Sequence, residues 1–86
     1  MHFVYILESE STGNLYIGQS AEPDKRLNDH NRGASPYTKN KGSWKRIHLC
    51  QFETLSEAIL LEKKLKSWKS PKRVKTWIEK GFNAVG

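Results

Sequence analysis

The opening run HFVYIL constrains the fold most. Its β-branched and aromatic residues favour a strand. With side chains alternating along it, Phe3, Tyr5 and Leu7 point one way and Val4 and Ile6 the other. Both faces are therefore apolar, and such a strand needs cover on both sides. The chain has 86 residues, 36% of them hydrophobic, which suits a single domain over residues 1–86 with one modest core.

Residues 2–7 are expected to form a first strand, residues 8–14 a turn around Gly13-Asn14, and residues 15–18 the returning strand of a hairpin. QSAEPDKRLNDHNRG then reads as a helix, with Ser20 as cap, Pro23 in the first turn and Gly33 as its stop. Leu27 is its one clear apolar anchor, so most of its surface is polar. A polar loop over residues 34–43 leads to a third strand over residues 44–52, with Ile47, Leu49 and Cys50 as its apolar content. Thr54 and Glu57 have the capping-box spacing, which opens a helix to about residue 69. Ser70-Pro71 starts a last helix with Val74, Trp77 and Ile78 as its buried stripe and Gly81 as its stop. The order β-β-α-β-α-α predicts an α+β fold: helices packed on a small three-stranded antiparallel sheet.

Charge is distributed unevenly. Residues 1–62 carry 7 basic and 8 acidic side chains, a net of −1, whereas residues 63–86 carry 8 basic and 1 acidic, a net of +7. A basic end on a nearly neutral body suggests a polyanionic partner, nucleic acid before an anionic membrane surface, although a solubilising lysine face has the same composition. No apolar run approaches the roughly 20 residues that span a bilayer, and MHFVYILESE has no basic leader region. The single cysteine, Cys50, fits a reducing compartment such as the cytoplasm, and its apolar neighbours make it a packing residue.

Several side chains are of types that do chemistry. Arg26 and His30, four apart, share a helix face; they are suited to binding a phosphate and relaying a proton, or simply to facing solvent. On the helix over residues 54–69, Glu62 lies about 40° from Ala58, inside the edge of the apolar stripe. A carboxylate there needs a partner: Arg26 or a lysine on the simpler reading, or a divalent cation shared with a substrate phosphate. Tyr5 and Tyr16 stand on the two strands of the hairpin, where tyrosines usually pack; either could serve as a base only with help from a nearby cation or metal-bound water. His2 and His48 have no evident partner, and Trp44, Trp68 and Trp77 fit core packing better than base stacking.

Taken in order, FVY at residues 3–5, YIG at 16–18, RLNDH at 26–30, NRGASPYTK at 31–39 and EAILLEKKLKSWK at 57–69 resemble the GIY-YIG nuclease domain, in its short, single-domain bacterial form. The resemblance implies a three-stranded antiparallel sheet with flanking helices and hydrolysis of DNA phosphodiester bonds with one divalent ion, Mg²⁺ or Mn²⁺. Carried onto this chain, it makes Glu62 the metal ligand, Arg26 the contact to the scissile phosphate and Tyr16 the residue that activates water. Tyr5 supports the nucleophile, His30 is a polar member of the site, and Lys39 is a basic substrate contact. The first motif reads Phe-Val-Tyr in place of Gly-Ile-Tyr, and no asparagine follows Glu62 before Asn83. Substrate affinity must come from the basic end, notably Lys66, Lys69, Lys72 and Arg73, from the loop over residues 34–43, or from a partner protein; phosphate contacts of this kind bind without reading sequence. The implied role is structure-selective or weakly specific cutting of DNA, with RNA as another substrate, in repair, recombination or processing. It would act in the cytoplasm or on a bacterial nucleoid, alone, as a homodimer or with a protein partner. A binding module that keeps the fold without turnover is the alternative, and a membrane-surface protein a more distant third.

Overall fold

A computed structural model describes residues 1–33 and 43–80 of the chain. The elements follow the expected order: β1 (His2–Ser9), β2 (Leu15–Ser20), α1 (Pro23–Asn31), β3 (Trp44–Phe52), α2 (Leu55–Trp68) and α3 (Pro71–Glu79). The sheet is antiparallel with strand order β2-β1-β3, so the strand that is apolar on both faces is the central one. The fold class is the α+β arrangement expected from the sequence. Among the described residues no helix is long and apolar enough to cross a membrane.

The two faces of β1 build two cores. Val4 and Ile6 join Ile17, Cys50 and Phe52 beneath Ala58, Leu61 and Leu65 of α2 and Val74 and Trp77 of α3. On the opposite face, Tyr5, Leu7 and Trp44 pack with Tyr16 and with Leu27 of α1. Burial of Leu27 supplies only about 1.5–3 kcal/mol, so α1 needs polar attachments as well. Arg46 Nη1 donates to Asp24 Oδ1 at 2.7 Å, but Asp24 is 87% exposed and such a pair contributes little. A stronger tie lies at the other end of the helix. Asn31 Nδ2 donates to the Trp44 carbonyl at 3.1 Å, and the Trp44 amide donates to Asn31 Oδ1 at 2.6 Å. The Asn31 amide thus occupies the place of a strand partner for Trp44 and pins the end of α1 to the start of β3.

Several local expectations are revised. Both hairpin strands run two residues further than the sequence suggests, because the ladder reaches from Phe3↔Ser20 to Glu8↔Leu15 on one side and Ser9↔Trp44 on the other. The turn is then closed by Gly13, at φ +76°, whose amide donates to the Ser9 carbonyl. Ser20 does not cap α1. It lies two residues too early, its Oγ accepts from the Glu22 amide at 2.9 Å, and Glu22 at the cap position makes no side-chain cap bond. Leu49 is 39% exposed, since β3 is an edge strand and this side chain is uncovered. Trp68 is half-buried: it packs on the core while the Arg73 guanidinium lies 4.5 Å over its ring. The capping box of α2 and the Ser70 cap of α3 form as expected. Gly81, Lys39 and the polar loop apart from Ser43 lie outside the described residues.

Candidate active site

The hairpin register creates the site. Tyr5 pairs with Gly18 and Leu7 with Tyr16, so the two tyrosines are diagonal neighbours on the α1 side of the sheet. Their rings are roughly stacked, with centroids 6.3 Å apart. His30, from the last turn of α1, inserts beside both, with ring centroids 4.5 Å from Tyr16 and 6.0 Å from Tyr5. Tyr5 and His30 are each only 1% exposed. The helix that looked almost entirely polar therefore buries one of its polar residues, and it does so because a partner is waiting: Tyr5 Oη and His30 Nε2 are 3.2 Å apart.

Protonation states follow from this geometry. The Arg26 guanidinium acts on the Tyr5 hydroxyl, and Tyr5 Oη and His30 Nε2 share a hydrogen bond whose donor is set by the His30 tautomer. Burial lowers the His30 pKa below its usual 6.5, and the Arg26 charge lowers it further, with Asp29 opposing. Burial likewise raises the Tyr5 pKa above 10.0; the Arg26 hydrogen bond opposes this, while negative charge on Tyr16 and Glu62 adds to it. Arg26 itself is held more firmly protonated, first by the Tyr5 hydrogen bond. Its side chain remains 39% exposed, and its Nη1 lies 3.5 Å from Asp29 Oδ2. Asp29 is drawn mainly to Arg32, which holds its carboxyl below the usual value. Arg26 thus keeps an open side facing solvent or substrate.

Glu62 approaches from α2. Its side chain is 19% exposed, it pairs with Lys66 Nζ at 3.3 Å, and its charge is felt at Tyr5. The partner of this carboxylate is therefore a lysine one turn along, not Arg26. Among the described residues no group of three His, Cys, Asp or Glu side chains could hold a metal ion by itself. A single half-buried carboxylate nevertheless fits Mg²⁺, which takes one or two protein carboxylates, keeps several waters and binds substrate phosphate.

Gly18 completes the site in a way the sequence did not reveal. A Cβ there would lie 2.5 Å from Tyr5 Oη, 2.7 Å from its Cζ and 3.1 Å from Tyr16 Cε1. β2 continues past Gly18 to Ser20, and the space above Gly18 is filled by the Tyr5 ring. A glycine inside a strand often marks such a close approach, which is the signal that was available. The role of Asn31 had no comparable signal, because its partner is the backbone of a residue 13 positions away.

The basic residues expected to bind substrate separate into different settings. Lys66 is committed to Glu62, and Arg73 covers Trp68. Lys69 sits in the left-handed conformation between α2 and α3 at φ 50°, and Lys72 is exposed on α3. Lys75, not singled out in the sequence, pairs with Glu8.

The family model of the GIY-YIG catalytic domain matches residues 1–75. The chain belongs to the GIY-YIG family. Curated relatives in Staphylococcus aureus are similar along most of their length. UPF0213 protein SAV0488 of strain Mu50 and UPF0213 protein SA0446 of strain N315 are each 35% identical over 75 residues, covering 86% of this chain and 90% of theirs. No solved structure matches the chain. Membership marks this as a nuclease domain that acts on nucleic acid, and the GIY-YIG fold is the three-stranded antiparallel sheet with helices described above.

Proposed function

We propose that this GIY-YIG protein is a metal-dependent endonuclease that hydrolyses DNA phosphodiester bonds with low sequence specificity, in DNA processing or repair. One observation carries the reading: Tyr5, Tyr16, Arg26 and His30 converge from three elements, and the charge of Glu62 reaches the same place from a fourth. A structural role alone gives no reason for a guanidinium, a neutral imidazole, two phenols and a carboxylate to share one corner of a small domain.

Each group has a part in hydrolysis. The open side of Arg26 neutralises charge on the phosphoryl oxygens as it develops. Tyr16 orients the attacking water. As the water oxygen bonds to phosphorus, the bond from phosphorus to the departing oxygen breaks, and the water's proton leaves through a tyrosine hydroxyl whose own proton moves on. Tyr5 is hydrogen-bonded to His30 Nε2, and in the tautomer that leaves this nitrogen unprotonated His30 is the base at the end of that path and becomes the imidazolium. Glu62 is the ligand for a divalent cation, Mg²⁺ or Mn²⁺. When bound, that ion supplies Lewis acidity at the phosphate and at the departing oxygen. Phosphate contacts from Lys69 and Lys72 would hold the strand without reading bases.

The test is cleavage of labelled single-stranded, duplex, flap and branched DNA and of RNA, each with Mg²⁺, Mn²⁺ or chelator, by the wild type and Tyr16→Phe. Metal-dependent cutting that Tyr16→Phe reduces at least tenfold is expected. Salt-sensitive binding with no cutting under any metal would assign the chain instead to non-catalytic binding.

A further inference from the structure

A recess of about 320 Å³ opens beside Tyr16 along β2, an edge strand of the sheet. Its wall and floor are apolar: Leu15 and Ile17 from β2, Leu65 from α2 and Val74 from α3. Its exposed rim is different in kind. Lys66, Lys69 and Pro71 stand there, two cations and a flat apolar ring.

We infer that this recess is a nucleobase subsite, which receives the base of a nucleotide next to the phosphodiester bond held by Arg26. The inference rests on the proposed nuclease reading for the position of that bond. An apolar group alone leaves the Lys69 ammonium at the mouth unmatched, whereas a base arrives with a phosphate on either side; Lys66, the other cation there, is paired with Glu62. A volume near the lower end of the ~300–1,000 Å³ range of ligand pockets suits a small planar group. Because β2 is an edge strand, alternate backbone N–H and C=O groups on its outer side lie outside the ladder and can meet the polar rim of a heterocycle. Tyr16 lines the recess at the edge of β2 while its ring packs on the opposite face of the sheet with Tyr5 and His30, so the recess adjoins the catalytic cluster across one edge strand. Lys66 spans the same two places, lining the recess while its Nζ lies 3.3 Å from Glu62.

A base can enter such a slot only after leaving its stack, so the substrate must offer an unpaired or easily extruded nucleotide near the cut. The apolar walls stack and do not select, so every base should be accepted.

The experiment has two arms on the full chain, both in chelator. In the first, amide NMR shifts are followed on adding thymidine 5′-monophosphate, deoxyadenosine 5′-monophosphate or 2-deoxyribose 5-phosphate. In the second, anisotropy compares a labelled oligothymidylate with a fully abasic strand of the same length, for the wild type and Pro71→Trp, which places a bulky ring at the mouth. Both nucleotides should shift Leu15, Ile17, Leu65 and Val74 while the sugar phosphate does not. The strand with bases should bind roughly tenfold tighter than the abasic one, and Pro71→Trp should remove that difference. Equal binding of the two wild-type complexes, or the same shifts with sugar phosphate, would overturn the subsite and leave metal-dependent cleavage untouched. Nucleotide shifts at these four residues in a protein that cuts nothing would uphold the subsite and remove the nuclease reading instead.

Discussion

Gly18→Ala should damage the site from within the sheet. The new Cβ would lie 2.5 Å from Tyr5 Oη and 2.7 Å from Tyr5 Cζ, where ordinary contact begins near 3.4 Å. Something must move by roughly 0.7–0.9 Å, and close-packed interiors resist such shifts. Tyr5 has little freedom to yield, being 1% exposed and hydrogen-bonded to His30. Overpacking of this kind costs about 1–3 kcal/mol. For a domain of this size each kcal/mol lowers the melting temperature by about 4–8 °C, so a fall of roughly 5–20 °C is expected. A displacement approaching 1 Å in a catalytic group also lowers turnover by as much as about 10²-fold. Melting followed by circular dichroism measures the first effect. The decisive comparison is a cycle with Tyr5→Leu, which removes both close atoms: Gly18→Ala should cost much less in that background than in the wild type. Equal costs in the two backgrounds would refute the reasoning.

Three further expectations concern other parts of the molecule. Asn31→Ala should lose about 1–3 kcal/mol, because it removes both hydrogen bonds by which Asn31 pins α1 to the Trp44 backbone; urea denaturation measures this, and Asn31→Asp, which keeps the acceptor and loses the donor, should fall between. His30 and His48 both titrate below the usual 6.5 because burial disfavours their charged forms, so the unfolded chain takes up their protons first. Stability should be full above about pH 6.5 and fall as pH drops through the lowered native values, by at most about 1.4 kcal/mol per pH unit for each proton; His30→Gln should flatten that slope, and an unchanged slope would contradict the neutral His30. Replacing Lys69 or Lys72 by Gln should reduce the slope of log affinity against log salt for DNA by about 0.7–0.9 each, whereas an unchanged slope would show that the residue makes no phosphate contact.

Much of the architecture is legible because local signals and tertiary structure agree. β3 spans the expected residues, and the Thr54–Glu57 box and Ser70-Pro71 start the last two helices where side-chain chemistry directs. The double-sided apolar pattern of β1 correctly implied cover on both faces. The ends of the hairpin strands were not legible, because Gln19 and Ser20 are polar and join the sheet only through pairing with Val4 and Phe3. Candidate site residues were nameable one by one from the family motifs, but their physical relations were not. On the sequence His30 belonged to a polar helix face; only the docking of α1 makes it a buried hydrogen-bond partner for Tyr5. Gly18 and Asn31 act through atoms distant in sequence, one by lacking a side chain and one by bonding a remote backbone.

On the proposed function, this corner of the fold breaks phosphodiester bonds with the help of a cation held by Glu62. Single-turnover cleavage of one labelled strand by the wild type and by Glu62→Gln, across a Mg²⁺ titration, tests it most directly. Cleavage should rise with Mg²⁺ in the wild type and fall at least a hundredfold in Glu62→Gln, while both proteins bind the strand in chelator. Cleavage by Glu62→Gln at the wild-type rate, or a wild-type rate indifferent to the metal, would contradict it.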